Sequence, residues 1–169
     1  MRITAVEGDI TRQDVDVVVN AANGGMRGGG GVDGAIHRAG GPAILADCVE
    51  RFPHGLPTGA AGWTTAGDLP ARWVVHVVGP NYRAGQRDPG LLASCYREAM
   101  RLADELGART IAFPAVSAGI YGWPLHDAAR IAVGTVAETG AGPVEEARFV
   151  LLGEATYRVF ADLVAQLPD

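Results

Sequence analysis

The sequence predicts an α/β sandwich, with helices on both faces of a mixed sheet. Three observations carry this reading. Short apolar runs of strand length alternate with longer amphipathic segments. Two of those runs, residues 15–19 and 73–78, are apolar almost throughout, as central strands covered on both faces are. Some connections, such as that from Thr65 to Val74, are too short for a helical crossover, which calls for antiparallel pairing somewhere in the sheet.

Residues 3–6 form a short first strand, and 15–19 a second that stops at Asn20. A glycine cluster follows. Helical character resumes around Asp33, where Val32, Ile36 and Ala39 share a face. The stretches holding Cys48 and Cys95 both read as helical. Residues 55–67 are turn-rich and contain a strand at 60–65, while 73–78 form a buried strand ended by Gly79 and Pro80. A polar loop with Gly and Pro spans 81–90. The clearest helix covers 91–106, with Leu92, Tyr96, Ala99, Ala103 and Leu106 at three- and four-residue spacing and Gly107 as its stop. Residues 110–113 form a strand, and 117–122 a second glycine-containing loop. Pro124 sits at the first position of a helix running to about Glu138. The last strand is 147–152. The last helix is 154–167, with Tyr157, Phe160, Val164 and Leu167 on one side.

Composition narrows the function. The 169 residues suit a single domain, 1–169, with one sizeable core. At 48% apolar residues, disorder is not expected. The start carries no signal pattern and no apolar run approaches a membrane span, so a cytoplasmic protein without a membrane partner is expected. The two cysteines are too few for a disulfide framework and are expected to be reduced, packed thiols. Net charge is −5, and all 14 basic residues are arginine, without a basic cluster. A nucleic-acid partner is therefore not expected. With no lysine, Schiff-base and P-loop chemistry are closed, and a phosphate-bearing ligand would depend on backbone N–H groups, helix N-termini and an occasional arginine. The four histidines show no metal-ligand spacing, so neither metal nor organic cofactor is expected. His76, inside an apolar strand, reads as a satisfied core residue, and His37 as structural.

Two strand ends carry unusual loops, where ligands bind in open α/β sheets. The first runs from Asn20 through Asn23 and Gly28–Gly31 to Asp33. The second is Ser117-Ala118-Gly119-Ile120-Tyr121-Gly122. Four consecutive glycines allow close backbone approach and offer four N–H donors, which suits a diphosphate. Their spacing is neither the dinucleotide-binding G-x-G-x-x-G nor a Walker motif.

These residues resemble the macrodomain family. The likeness starts at Gly8-Asp9-Ile10-Thr11, continues through Asn20–Asn23 and Gly28–Arg38, and resumes at Val75–Pro80 and Ala112–Gly122. It covers nearly the whole chain in order. It points to the hydrolase branch that includes MacroD-like proteins and bacterial O-acetyl-ADP-ribose deacetylases. The resemblance implies a three-layer α/β/α sandwich with a central mixed sheet, and it assigns roles. Asp9 would accept a hydrogen bond from an adenine amino group, with Ile10 beside it, although Gly-Asp is also a common turn. Gly30, Gly31 and Val32, with Ser117, Ala118, Gly119, Ile120 and Tyr121, would wrap the diphosphate and distal ribose. Asn23 and Asp33, the catalytic candidates, would face that ribose. Asp33 either deprotonates the attacking water or only positions the ribose while a substrate phosphate activates the water; helix N-capping is its ordinary alternative. Tyr121 would pack on the ribose or gate the site.

Departures from the family pattern refine this. Ala118 stands where Thr is frequent. Leu152 replaces an aromatic common near the adenine, which implies weaker packing there. The paired glutamates of poly(ADP-ribose) glycohydrolases are replaced by Gly34 and Ala35, which argues against cutting ribose–ribose chains. Arg27 is expected in solvent, or against a phosphate or protein substrate. The expected function is hydrolysis of acyl esters on the distal ribose of ADP-ribose, the partners being O-acetyl-ADP-ribose or proteins mono-ADP-ribosylated on Asp or Glu. A non-catalytic ADP-ribose reader is the rival, and ADP-ribose 1″-phosphate phosphatase activity a weak side reaction.

Overall fold

The computed structural model describes residues 1–140 and 142–168. Six strands form one mixed sheet: β1 (Arg2–Glu7), β2 (Val17–Ala22), β3 (Ala61–Thr65), β4 (Trp73–Val78), β5 (Thr110–Phe113) and β6 (Glu146–Leu151), in the order β1-β6-β5-β2-β4-β3. All neighbours pair in parallel except β3, the antiparallel edge on β4. The helices among the described residues are α1 (Gly31–Gly40), α2 (Pro42–Arg51), α3 (Pro89–Glu105), α4 (Leu125–Glu138) and α5 (Glu154–Ala165).

Alternation along the strands sorts these helices into two layers. Val17, Val19, Val75 and Val77 share a core with Tyr96, Ala132 and Phe160, which places α3, α4 and α5 on one face. Val18, Val74 and Val78 share the other core with Ile36, Ile44 and Cys48, which places α1 and α2 on the opposite face. The result is the expected three-layer α/β/α sandwich with a mixed sheet.

Three local differences from the sequence reading matter. First, β2 does not stop at Asn20 but runs to Ala22, and Asn20 is wholly buried in register with His76 of β4. A polar residue inside a buried strand looks like a strand end until its partners are known. Second, α1 and α2 are separate helices joined at Gly41, whose φ of 78° ends the first and whose neighbour Pro42 begins the second. Third, α1 buries Asp33, Ile36 and Gly40, while Ala39 faces out. The helix is rotated to bring a carboxylate, not a methyl, against the sheet. Smaller shifts have capping causes. Asp88 caps α3 at Gly90 N–H, so that helix starts at Pro89, and Pro124 stands one residue before α4.

At the amino ends of the central strands, Asp16 ties the sheet together. Its carboxylate accepts from the N–H groups of Arg109 and Thr110, its own N–H donates to Thr110 Oγ1, and its carbonyl accepts from Arg72 and Trp73. The carboxyl ends of β1, β6, β5, β2 and β4 all open at the opposite edge.

Candidate active site

That carboxyl edge holds a cleft of roughly 690 Å³. Every residue expected at the site lines it. Asp9, Ile10 and Leu152 lie at the ends of β1 and β6; Asn23 and Gly30–Asp33 belong to the first loop; Ser117–Tyr121 form the second.

The two loops face each other closely. A Cβ built on Gly30 or Gly31 would lie 3.4 Å from the Ile120 Cδ1 atom. Within the first loop, no backbone N–H from Gly28 to Asp33 has a partner outside the helix among the described residues, and the first N–H groups of α1 have none inside it. In the second loop, the N–H groups of Gly119, Ile120 and Tyr121 are likewise without a partner among the described residues, whereas Ala118 N–H donates to the Ala115 carbonyl. Two runs of free donors therefore border one cleft, one of them at a helix N-terminus, which favours an anion there.

The second loop is held from behind. The buried Tyr96 hydroxyl donates to the Pro114 carbonyl at 3.3 Å and accepts from Val116 N–H at 3.0 Å. Ser117 adopts φ of 64°, unusual for a residue with a Cβ, and its carbonyl accepts from Trp123 N–H. Its buried hydroxyl has no partner among the described residues.

The first loop is held by Asn23 and Arg27. Asn23 Nδ2 donates to the Gly28 carbonyl at 3.1 Å, and its Oδ1 accepts from Gly25 N–H at 3.1 Å. One amide hydrogen and one lone pair remain. Arg27 is exposed, as expected, and is not among the residues that line the cleft. Its guanidinium donates to the carbonyls of Gly25, Met26, Phe52 and Pro53, clamping the loop to the end of α2. Arg38 is the cation that lines the cleft.

Asp33 is 4% exposed and is the third residue of α1. It does not cap that helix, since Gly30 holds the cap position. Its Oδ1 accepts from Asn20 Nδ2 at 2.8 Å and lies 3.3 Å from His37 Nε2. Its Oδ2 has no protein donor among the described residues. A Cβ on Gly29 would sit 3.2 Å from both Asp33 Oδ2 and Asn23 Nδ2, so only glycine leaves that point open between them. The arrangement presents an acceptor and a donor to a single position.

Asp9 holds the turn that a Gly-Asp pair commonly makes. Its Oδ1 accepts from Thr11 N–H at 2.9 Å and the Thr11 hydroxyl at 2.7 Å, capping the short 3-10 turn Ile10–Arg12. Those bonds hold its carboxyl below the usual range. Its Oδ2 meets only Arg12, at 3.7 Å, and remains available. Leu152 is 84% exposed at the rim, an apolar shelf without an aromatic face.

Three polar residues lie behind the cleft lining and connect to Asp33 in ways that local spacing does not show: Asn20, His37 and His76. His37 stands four residues after Asp33, a spacing that brings side chains together on one helix face. His76 is buried against Asn20 and Thr64, and burial, with His37 nearby, pushes its basicity down to about 3. The two thiols are buried and pushed up, Cys48 to about 11 and Cys95 to about 12, chiefly by burial, so neither is a nucleophile at neutral pH. No described helix is long and apolar enough to cross a membrane.

The chain is similar to known proteins over nearly its whole length. The chain is 64% identical over 163 residues to a Macro domain-containing protein of Streptomyces coelicolor, covering 94% of this chain and 96% of that one. It is 48% identical over 166 residues to a Klebsiella pneumoniae protein named O-acetyl-ADP-ribose deacetylase, covering 95% of each. Among solved structures it superposes on the Trypanosoma brucei macrodomain in complex with ADP-ribose with a TM-score of 0.89 and 40% identity, covering 96% of this chain and 69% of that one. The Macro domain family model matches residues 19–132. With the sheet order, the two facing loops and these relationships together, the chain belongs to the Macro domain family.

Proposed function

We propose that this protein binds ADP-ribose in the cleft and hydrolyses acyl esters at its distal ribose, acting on O-acetyl-ADP-ribose, on mono-ADP-ribose esterified to protein Asp or Glu, or on both. The observation that carries the reading is the pairing of two donor-rich loops with a donor and an acceptor at one end. The loops suit a diphosphate, and Asn23 with Asp33 suits an ester-bearing ribose. Structural relatives are known with ADP-ribose, and one sequence relative is named a deacetylase of its O-acetyl ester. In this reading Asp9 and Ile10 take the adenine, with Leu152 as its shelf. Gly30, Gly31, Val32 and residues 117–121 take the diphosphate and the ribose.

The chemistry follows from the free Oδ2 of Asp33. A water hydrogen-bonded there attacks the ester carbonyl carbon. The group that activates the water, Asp33 or a substrate phosphate, takes its proton; the tetrahedral adduct collapses, the carbon–oxygen bond to the ribose breaks, the ribose oxygen takes that proton, and the acid formed gives its own to solvent. The products are a carboxylate and ADP-ribose. Asn23 holds a ribose hydroxyl so that the carbonyl faces the water. No step needs a metal or an organic cofactor.

The test is release of acetate from O-acetyl-ADP-ribose, and of ADP-ribose from an Asp/Glu-modified protein, alongside calorimetric ADP-ribose binding. Asp33→Ala and Asn23→Ala are expected to lower turnover by at least about 100-fold while leaving measurable binding. Asp33→Asn separates the two roles of Asp33: general-base chemistry is lost, whereas positioning alone survives. Tight ADP-ribose binding without release from either substrate would make the protein a reader and end the hydrolase proposal.

A further inference from the structure

We infer that His76 is a positioning residue for the reaction at Asp33, acting through Asn20 as the middle member of a buried polar ladder across three strands. Its catalytic consequence rests on the hydrolase reading above; the ladder stands on geometry alone.

Asn20 and His76 are register partners on the parallel strands β2 and β4, and Thr64 lies diagonally across on antiparallel β3. All three are essentially excluded from solvent. The direction of every hydrogen bond follows from the one fixed element, the carboxylate. Asp33 Oδ1, when ionised, only accepts, so Asn20 must turn its NH2 toward it. The same Nδ2 lies 3.1 Å from His76 Nδ1, which must therefore accept and carry no proton. The imidazole proton is on Nε2, 2.9 Å from Thr64 Oγ1, and Thr64 passes its own hydrogen to the Thr65 carbonyl at 2.9 Å. The chain is complete: Asn20 donates both ways, to Asp33 and to His76, and from His76 the donors run outward to the Thr65 carbonyl.

The other side of the Asn20 amide decides the matter. Its Oδ1 is buried without a partner among the described residues, none of which holds the amide from the carbonyl side. Its orientation depends on the two acceptors that share Nδ2, and of these only His76 lies on the side away from the cleft. Were the imidazole to carry its proton on Nδ1, two donors would oppose each other. A flip of the amide would relieve them only by setting Oδ1 against the Asp33 carboxylate. The titratable groups around the ring are His37 and Asp33 on α1 and Cys48 and Asp47 on α2, with Cys48 Sγ 3.7 Å from Nε2 and the His37 ring centroid 6.3 Å away. The ring stays neutral across the pH range in which a carboxylate base operates.

The experiment compares wild type, His76→Phe and His76→Gln. A glutamine has both an acceptor for Asn20 and a donor for Thr64, whereas phenylalanine has neither. Imidazole nitrogen NMR on the wild type is expected to show the Nε2–H tautomer unchanged between about pH 5 and 8. The Asn20 side-chain NH2 protons are expected to be exchange-protected in wild type and H76Q and to lose protection in H76F. Turnover of O-acetyl-ADP-ribose should fall about 10- to 100-fold in H76F, with KM and ADP-ribose affinity within about twofold of wild type, and should recover largely in H76Q. An Nδ1–H tautomer overturns the inference, and so does an H76F protein that turns over at the wild-type rate. Equal loss of turnover and ADP-ribose affinity in both variants would overturn it too, reducing His76 to a structural residue. If H76F fails to fold, the wild-type tautomer and the H76Q kinetics still decide. A wild type that binds ADP-ribose and releases nothing ends the hydrolase proposal, while protected Asn20 protons in that same protein support the ladder.

Discussion

At Gly29 one methyl group separates an open site from a filled one. The glycine is not held at positive φ, so alanine is compatible with its backbone, yet its Cβ would stand 3.2 Å from both Asn23 Nδ2 and Asp33 Oδ2. Gly29→Ala is therefore expected to fold with a Tm within a few degrees of wild type and to lose ester hydrolysis by about tenfold or more, a loss of roughly 1.4 kcal/mol in transition-state stabilisation. Thermal melts and steady-state kinetics on one preparation check it; unchanged turnover would show that the substrate does not enter between Asn23 and Asp33. At this scale, Asp9, Asn23 and Asp33 were legible because each sits in a motif with its own chemistry. Asn20, His37 and His76 were not. Their meaning depends on which strands lie side by side and on helix rotation, and neither is written in local spacing. The exposure of Arg27 was legible, but its partners at Phe52 and Pro53, some 25 residues away in the chain, were not.

Among elements, α3 and the loop after β5 are joined by one hydroxyl. Tyr96→Phe removes the hydroxyl from the Pro114 carbonyl and Val116 N–H, which then keep only their bond to each other. Denaturant unfolding should show a loss of about 0.5–1.5 kcal/mol, with weaker ADP-ribose binding because the second loop loses its anchor. The β1–β6 pair has a comparable joint in Glu146, which accepts from Arg148, Arg2 and Thr4. Arg148 first, then Arg2 and Thr4, push its carboxyl down to about 2 against the opposing effect of burial. Because the folded value lies below the ordinary one of 4.5, its contribution is complete above about pH 4.5 and is lost as pH falls toward 2. Glu146→Gln should thus be less stable than wild type at pH 7, with the difference shrinking as unfolding is followed down to pH 3; a constant difference would show that the charge is not what matters. Strand and helix identities were legible from periodicity. The limits of β2 and the break at Gly41 were not, because a buried Asn resembles a strand end and a paired glycine resembles any other until its dihedral is known.

For the whole molecule, charge and architecture act at different ranges. The protein carries −5 overall, yet Arg38 faces the cleft. Arg38→Gln should weaken ADP-ribose about fivefold at low salt, equivalent to ~1 kcal/mol, with the effect fading near 0.5 M salt as screening shortens. Calorimetry at two ionic strengths checks it. The layered fold itself was readable from alternation alone, since a chain that repeats strand and helix has few ways to bury both. The two edges of the sheet then divide the labour. Asp16 fastens three strands at the amino edge, far along those strands from the open cleft. Such a division implies that tolerance to mutation is spatially sorted. In a saturation library scored separately for cellular abundance and for catalysis, substitutions at Asp16 should deplete abundance. Small substitutions at Gly29 should deplete only activity, which leaves that part of the carboxyl edge free to acquire new substrates without endangering the scaffold.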